Sequence, residues 1–186
     1  MSAVKTALLV IDVQESFRHR PYWRPDDVPA FTANLQALID GAQAAGMPVI
    51  QIFHTDDDLH FRIDGGYVRT LEGLRIHPDV VFHKTRHSAL VGTPLETFLI
   101  RQGIGKVIVS GIRTEQCCET TTRHASDIGF AVDFVTEATL TFPMTHASGV
   151  VLGADDIKLR TELVLAGRFA RIATVAEALG AQKAAA

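Results

Sequence analysis

The most constraining feature of this sequence is a set of short runs that are apolar along their whole length. The clearest are residues 6–11 (TALLVI) and residues 107–109 (VIV), which do not alternate with polar positions. Strands of this kind are buried on both faces, which is typical of a parallel sheet covered by helices. Similar runs predict four more strands, at residues 49–53, 80–82, 131–135 and 169–172. The sequence therefore predicts a mostly parallel sheet of six strands.

Segments with helical character separate these strands. Residues 31–45 place apolar side chains on one face at helical spacing, and Gly46 ends the segment. Thr93 and Pro94 are suited to the N-cap and first position of another helix. Further helices are predicted at residues 93–102, from Thr114 or Glu115 to Gly129, and at residues 175–179. Another is predicted at residues 145–166, with a break near residues 149–155. This alternation predicts a three-layer α/β/α fold with a doubly wound sheet.

The length and composition suit one domain. The chain has 186 residues, of which 47% are hydrophobic, so it can bury a sizeable core. We therefore expect a single domain over residues 1–186.

Polar features follow four of the predicted strands. Asp12 ends the first, His54 follows the second, Lys84 follows the third, and a turn at residues 111–118 follows the fourth. Doubly wound sheets bind ligands beyond the carboxyl ends of their strands. We therefore expect these four features to meet at one edge of the sheet.

Two adjacent cysteines, Cys117 and Cys118, lie in the first turn of the helix after the fourth strand. The N–H groups and the dipole at a helix N-terminus favour thiolate over thiol and lower the pKa of a cysteine there. This position predicts a cysteine nucleophile. The alternative is that both cysteines are small buried hydrophobes, which is common for free cysteines.

Several functional classes do not fit the composition. The formal net charge is -3 and no basic stripe is present, which argues against nucleic acid as a partner. The turns after the strands lack the glycine-rich patterns of nucleotide sites, and neighbouring cysteines rarely form a disulfide. We find no signal peptide and no apolar run long enough to span a bilayer. We therefore expect a cytoplasmic protein without a membrane partner.

Three stretches carry a resemblance to a known family: IDVQESF at 11–17, HKTRHSAL at 83–90 and VSGIRTEQCC at 109–118. In this order and at these separations, they resemble the isochorismatase-like cysteine hydrolases. That family includes nicotinamidases, N-carbamoylsarcosine amidohydrolase and isochorismatase. Gly111, Thr114 and Cys117 fit the family's G-x-x-T-x-x-C turn, so the resemblance selects Cys117 over Cys118. It implies an isochorismatase-like, Rossmann-like topology.

The resemblance also implies roles for individual residues. Asp12 would take the proton of the Cys117 thiol, and Lys84 would keep the site positive. The backbone N–H groups of Arg113 and Cys117 would receive the oxyanion. A non-proline cis peptide is implied between Ile112 and Arg113. The activity implied is hydrolysis of a small amide, ureide or carbamoyl C–N bond through a thioester.

The predicted substrate contacts lie on loops or just after a strand: Gln14, Phe17, Trp23, His54, Phe61 and Tyr67. Gln14 could instead brace its loop, and the three aromatic residues Trp23, Phe61 and Tyr67 could instead belong to the core or to an interface. The side chain of Arg113 could point away from the site or could bind a substrate carboxylate.

A metal site is considered because nicotinamidases carry an Asp-x-His-x5-His pattern after the second strand. His54 and His60 have the histidine spacing, but Ile52 stands at the Asp position. Catalytic zinc usually has three protein ligands, so we predict no metal and no cofactor, although Asp56 or Asp58 could replace the missing ligand. The departure at Ile52 also makes nicotinamide a weaker candidate substrate.

Two alternatives to the amidohydrolase remain open. One is a vinyl ether hydrolase of the isochorismatase type, which needs the carboxylate but no thiol. The other is a non-catalytic binding or redox module that uses the Cys117–Cys118 pair. In each case the expected partners are a small molecule and further copies of the chain, because relatives in this family form dimers or larger oligomers.

Overall fold

The computed structural model describes residues 4–183, with side chains described up to residue 180. Six parallel strands form one sheet in the order β3-β2-β1-β4-β5-β8. The strands are β1 (Lys5–Ile11), β2 (Val49–His54), β3 (Val80–Lys84), β4 (Ile104–Ile112), β5 (Ala131–Leu140) and β8 (Arg171–Ile172). All pairings in this sheet are parallel, so the predicted sheet is confirmed.

Helices cover both faces of the sheet. They are α1 (Val28–Ala44), α2 (Leu95–Arg101), α3 (Glu119–Asp127), α4 (Ala154–Leu165) and α5 (Val175–Lys183). Successive side chains of a strand point to opposite faces, so Leu8 joins the core beneath α1 and α5, whereas Leu9 joins the core beneath α2, α3 and α4. The predicted three-layer fold is therefore confirmed. Within residues 4–183, no helix is both long and apolar enough to cross a bilayer.

The segment predicted as helix from residue 145 is partly wrong. Strands β6 (Met144–Thr145) and β7 (Val151–Leu152) form an antiparallel pair, and α4 begins only at Ala154. Gly149 has a φ of +89°, which turns the chain between them, and the His146 N–H donates to the Val150 carbonyl at 2.8 Å. The missed signal was the glycine turn between these two short segments.

Other boundaries shift by a few residues. The strand predicted at 169–172 covers only Arg171–Ile172, and α1 begins at Val28, three residues early. Helix α2 begins at Leu95 instead of Pro94. The Thr93 hydroxyl still accepts a hydrogen bond from the Leu95 N–H at 3.3 Å, so its capping contact exists.

Close contact between β1 and β4 fixes the edge where the polar residues meet. Ile11 pairs with Gly111, and a Cβ built on Gly111 would lie 2.0 Å from the Ile11 carbonyl oxygen. Gly111 also has a φ of +130°, so only glycine suits this position. Asp12, the residue that follows β1, has a φ of +54°. Its N–H donates to the Ile52 carbonyl at 2.8 Å. The end of β1 is thus fixed from both neighbouring strands.

Candidate active site

Asp12, Lys84 and Cys117 meet at the carboxyl edge of the sheet. The Lys84 Nζ atom lies 2.7 Å from Asp12 Oδ2 and 3.3 Å from Cys117 Sγ. Asp12 is 0%, Lys84 1% and Cys117 7% exposed. The second oxygen of Asp12, Oδ1, has no hydrogen-bond partner within residues 4–183. A carboxylate, an ammonium and a thiol are thus in mutual reach in a nearly dry environment.

Burial and charge act on this cluster in opposite directions. Burial raises the pKa of Asp12 above its usual value, although the Lys84 ammonium partly offsets this effect. Burial alone would lower the pKa of Lys84, but the Asp12 carboxylate and Cys117 outweigh it and raise that pKa. Lys84 therefore stays protonated, while Asp12 is a stronger base than a solvated aspartate.

The pKa of the Cys117 thiol differs from the sequence-based expectation. We expected the helix N-terminus to lower it, but burial and the adjacent Asp12 carboxylate raise it far above the usual value, despite Lys84. The free-energy cost of desolvating a thiolate at this position is larger than the stabilisation that the helix dipole provides. The free site therefore contains a neutral thiol next to a carboxylate that can accept its proton.

The chain segment around Cys117 forms a wide π-helical turn at Thr114–Cys118 before α3 begins. The Cys118 N–H donates to the Arg113 carbonyl at 3.2 Å, five residues back. Single π turns of this kind occur frequently at functional sites. The peptide between Ile112 and Arg113 is cis.

The Arg113 side chain points away from the sulfur. It forms an ion pair with Glu115 at 2.9 Å, and its guanidinium carbon lies 4.7 Å from the centre of the Tyr22 ring. Because both members of this pair are largely buried, the guanidinium is already neutralised. Arg113 is not among the described residues that line the cavity above Cys117, which agrees with the first of the two orientations that the sequence left open.

A small cavity of about 130 Å³ opens above the sulfur. Its described lining residues are Asp12, Phe17, Arg20, Tyr22, His54, Asp56, Phe61, His87, Gln116 and Cys117. Phe17 and Phe61 meet edge to face with ring centres 5.2 Å apart, and they form an apolar wall. The nucleophile candidate and its carboxylate therefore both border a cavity with a mixed polar and aromatic lining.

Three predicted substrate contacts, Phe17, His54 and Phe61, line this cavity, whereas Gln14 does not. The buried Gln14 amide donates to the Ser16 hydroxyl at 2.7 Å and to the His54 carbonyl at 3.0 Å. Its carbonyl accepts from the His54 N–H at 2.8 Å. These bonds use the Gln14 amide to brace two loops, which agrees with the alternative that the sequence left open for this residue.

Trp23 and Tyr67 also lie outside the described cavity lining. Trp23 packs against Phe142 with ring centres 5.2 Å apart. Tyr67 packs against His19 at 4.3 Å and against His60 at 5.1 Å. Trp23 thus packs against the core, which was one of the alternatives that the sequence left open, whereas Tyr67 packs against two histidines of neighbouring loops.

The His54 ring has contacts on both nitrogens. Nδ1 lies 3.2 Å from Lys84 Nζ, and Nε2 lies 3.7 Å from Asp56 Oδ2. Burial and then the Lys84 charge lower the pKa of His54, so the ring is neutral and Nδ1 accepts from the ammonium.

Within residues 4–183, no group of three or more His, Cys, Asp or Glu side chains has a metal-binding arrangement.

Sequence reasoning missed five cavity residues. These are Arg20, Tyr22, Asp56, His87 and Gln116. None directly follows a strand, and the irregular loops give no periodicity that would place a side chain. The one available signal applied to two of them, because His87 lies within the family stretch 83–90 and Gln116 within 109–118.

Fold and site together define a doubly wound α/β protein with an Asp, a Lys and a Cys at the carboxyl edge of its sheet. The family model of the isochorismatase domain matches residues 6–152. The chain therefore belongs to the isochorismatase family, and it is a hydrolase of that family.

Individual relatives agree with this assignment. The chain is 31% identical to Nicotinamidase 3 of Arabidopsis thaliana over 182 residues, covering 85% of this chain and 88% of the relative. It is 29% identical to an uncharacterized isochorismatase family protein of Bacillus subtilis, covering 91% of this chain and 92% of the relative. A proposed hydrolase of the isochorismatase family from Chromobacterium violaceum has a similar structure. Its TM-score is 0.88 at 28% identity, covering 99% of this chain and 96% of that chain.

Proposed function

We propose that this protein is a cysteine hydrolase that cleaves a small amide, ureide or carbamoyl C–N bond. Cys117 is the nucleophile, Asp12 the general base and acid, and Lys84 the cation that fixes both. The observation that carries this proposal is the position of Lys84 Nζ, 2.7 Å from the carboxylate and 3.3 Å from the sulfur. Family membership and the nicotinamidase relative support hydrolysis of C–N bonds other than peptide bonds.

The first half of the reaction forms a thioester. Asp12 accepts the thiol proton as the Cys117 sulfur attacks the carbonyl carbon, and a C–S bond forms. The backbone N–H groups of Arg113 and Cys117 stabilise the oxyanion, where one such donor is typically worth about 2.7–4 kcal/mol. Asp12 then returns the proton to the leaving nitrogen, and the C–N bond breaks. Because Lys84 is a buried ammonium, it offsets the negative charge on Asp12 before transfer and on the sulfur after it.

The second half hydrolyses the thioester. Asp12 removes a proton from water, the hydroxide attacks the thioester carbonyl, and the C–S bond breaks to release the acid. The sulfur leaves as a thiolate beside Lys84 and regains a proton from Asp12. Phe17, His54 and Phe61 are proposed to contact the substrate, because they line the cavity above the sulfur.

The direct test is ammonia release from a panel of small amides, ureides and carbamoyl compounds. Cys117→Ala and Asp12→Asn should abolish release, because each removes a group that moves a proton or forms a bond. Cys118→Ala is the matched control, since Cys118 is fully buried and is not among the described lining residues. A Cys118 variant that is inactive while folded, beside an active Cys117→Ala, would contradict the assignment.

The same variants separate the other candidate functions. A vinyl ether hydrolase needs the carboxylate alone, so Cys117→Ala would retain activity on isochorismate. A redox module would need Cys118 to react, but burial raises the pKa of Cys118 well above its usual value. Both cysteines are free thiols. The geometry therefore favours the single-cysteine hydrolase over these alternatives.

A further inference from the structure

Arg20 contributes a positive charge to the wall of the cavity. It follows the short helical turn Glu15–His19 and is the only arginine or lysine among the described lining residues. Its guanidinium carbon lies 4.4 Å from the centre of the Phe61 ring, and Nη1 lies 3.0 Å from Asp58 Oδ2. The side chain is 28% exposed. The guanidinium is thus held between an aromatic face and a carboxylate while it remains partly exposed to solvent.

The contact with Asp58 leaves most of the Arg20 donors free. A guanidinium has five N–H donors in a planar fork, and no second hydrogen bond of this group is found within residues 4–183. A planar fork with neighbouring free donors matches a carboxylate in a bidentate arrangement. A substrate carboxylate in the cavity could accept from two of these donors in place of solvent.

We propose that Arg20 selects small amides that carry a carboxylate, and that it holds this carboxylate while the scissile carbonyl faces Cys117. This inference rests on the proposed amidohydrolase function and adds the substrate class. Arg20 and Cys117 line the same small cavity of about 130 Å³, so a short chain is enough to join the carboxylate to the scissile carbonyl. The class is therefore the monoamide of a small dicarboxylic acid, or its carbamoyl equivalent.

Asp56 also lines the cavity, and its charge opposes an anionic substrate. Its carboxylate faces the His54 ring, with Oδ2 3.7 Å from Nε2, and its side chain is 40% exposed. Solvent screens a charge at such a position, whereas Arg20 can contact the substrate directly through short, charge-assisted hydrogen bonds. Direct contact with Arg20 therefore outweighs repulsion by Asp56.

Arg20 also has a structural contact, because it joins the loop after β1 to the loop after β2 through Asp58 and Phe61. A purely structural role would change the reactivity of Cys117 toward all reagents alike. A selective role would change the preference for charged over neutral reagents. The experiment must therefore measure the ratio of the rates at which Cys117 reacts with a charged reagent and with a neutral one.

Iodoacetate and iodoacetamide provide this ratio, because they are nearly equal in size and differ in charge. Their rates of alkylating Cys117 are measured in the full chain, assigned by peptide mass spectrometry, and divided by their rates with free cysteine. In the wild type we expect this normalised ratio to favour iodoacetate. In Arg20→Met it should fall roughly tenfold, the lower range for a hydrogen bond to a charged group.

Two further variants control for folding and for general charge. Arg18→Met removes an arginine of the same loop that pairs with Glu72 at 3.1 Å and does not belong to the described lining, so the ratio should stay within about twofold. Arg20→Lys keeps the charge but loses the planar fork, so an intermediate ratio is expected.

A wild-type ratio no higher than that of free cysteine would overturn the proposal. An unchanged ratio in folded Arg20→Met would do the same. The alkylation measurement requires no amide turnover, so it tests the carboxylate site at Arg20 separately from the proposed amidohydrolase function. An Arg20-dependent ratio in a protein that releases no ammonia would keep the carboxylate site and reject the amidohydrolase.

Discussion

Asp12 and Cys117 are the two buried residues that exchange a proton in the proposed reaction. Asp12, Lys84 and Cys117 could be placed together because each follows a strand of one parallel sheet. The protonation of the thiol could not be predicted, because it depends on how much water the folded site excludes. Burial reverses the effect expected from the helix N-terminus, so the proposed reaction requires Asp12 as the base.

The raised pKa of Asp12 has a consequence for the pH dependence of the reaction. Only ionised Asp12 can accept the thiol proton, and a raised pKa means that it binds a proton at higher pH than a solvated aspartate. As pH falls, kcat/KM should therefore decline at a pH clearly above about 4, the usual range of aspartate. The measurement is a kcat/KM profile with the fastest amide of the panel. An acid limb at or below the usual aspartate range would show that burial does not set the basicity of this group.

The turns that join the strands to the helices were predicted less completely than the strands. The hairpin β6–β7 was missed because its strands have two residues each, and so short a pair carries no measurable period. The π-helical turn at Thr114–Cys118 was missed because it differs from an α-helical turn in hydrogen bonding, which composition does not reveal. Gly111 of the turn motif, by contrast, was recognised from the sequence, and its close approach to Ile11 explains why glycine is needed there.

Gly111 should tolerate no side chain. In Gly111→Ala, the new Cβ would lie 2.0 Å from the Ile11 carbonyl oxygen, and the φ of +130° would be strained for alanine. We expect a loss of about 3 kcal/mol or more in the free energy of unfolding, measured by urea denaturation. We also expect loss of activity, since Ile11 precedes Asp12.

Gly180→Ala is the matched control for that substitution. Gly180 lies in α5 with no atom within 4 Å of a built Cβ and without a positive φ. Alanine in a helix interior should leave stability unchanged or raise it by up to about 1 kcal/mol. Equal losses in the two variants would contradict the steric explanation for Gly111.

At the scale of the whole molecule, the segment from the β6–β7 hairpin into α4 exposes several apolar side chains close together in sequence. The most exposed are Val150, Val151, Leu159 and Leu163, which range from 57% to 77% exposed. Leu159 and Leu163 are four residues apart and therefore share one face of α4. An isolated two-stranded hairpin is marginally stable in water, so covering this surface would stabilise it. The homo-oligomer expected from the sequence remains a prediction, and this surface is its candidate interface.

Leu163→Glu tests that prediction. Placing a charge on an apolar interface should lower the molar mass measured by light scattering toward that of one chain. Ile100→Glu is the control, because Ile100 is also exposed but lies on α2. A monomeric wild type, or equal effects of the two substitutions, would exclude this surface as the interface.

In the proposed reaction, the sulfur of Cys117 becomes covalently attached to the acyl part of the substrate. Acid quenching during turnover, followed by intact-mass and peptide mass spectrometry, tests it most directly. We expect a mass increase equal to the acyl group on the peptide containing Cys117, absent in Cys117→Ala and present in Cys118→Ala. Turnover with no acyl adduct under single-turnover conditions, together with full activity of Cys117→Ala, would contradict it.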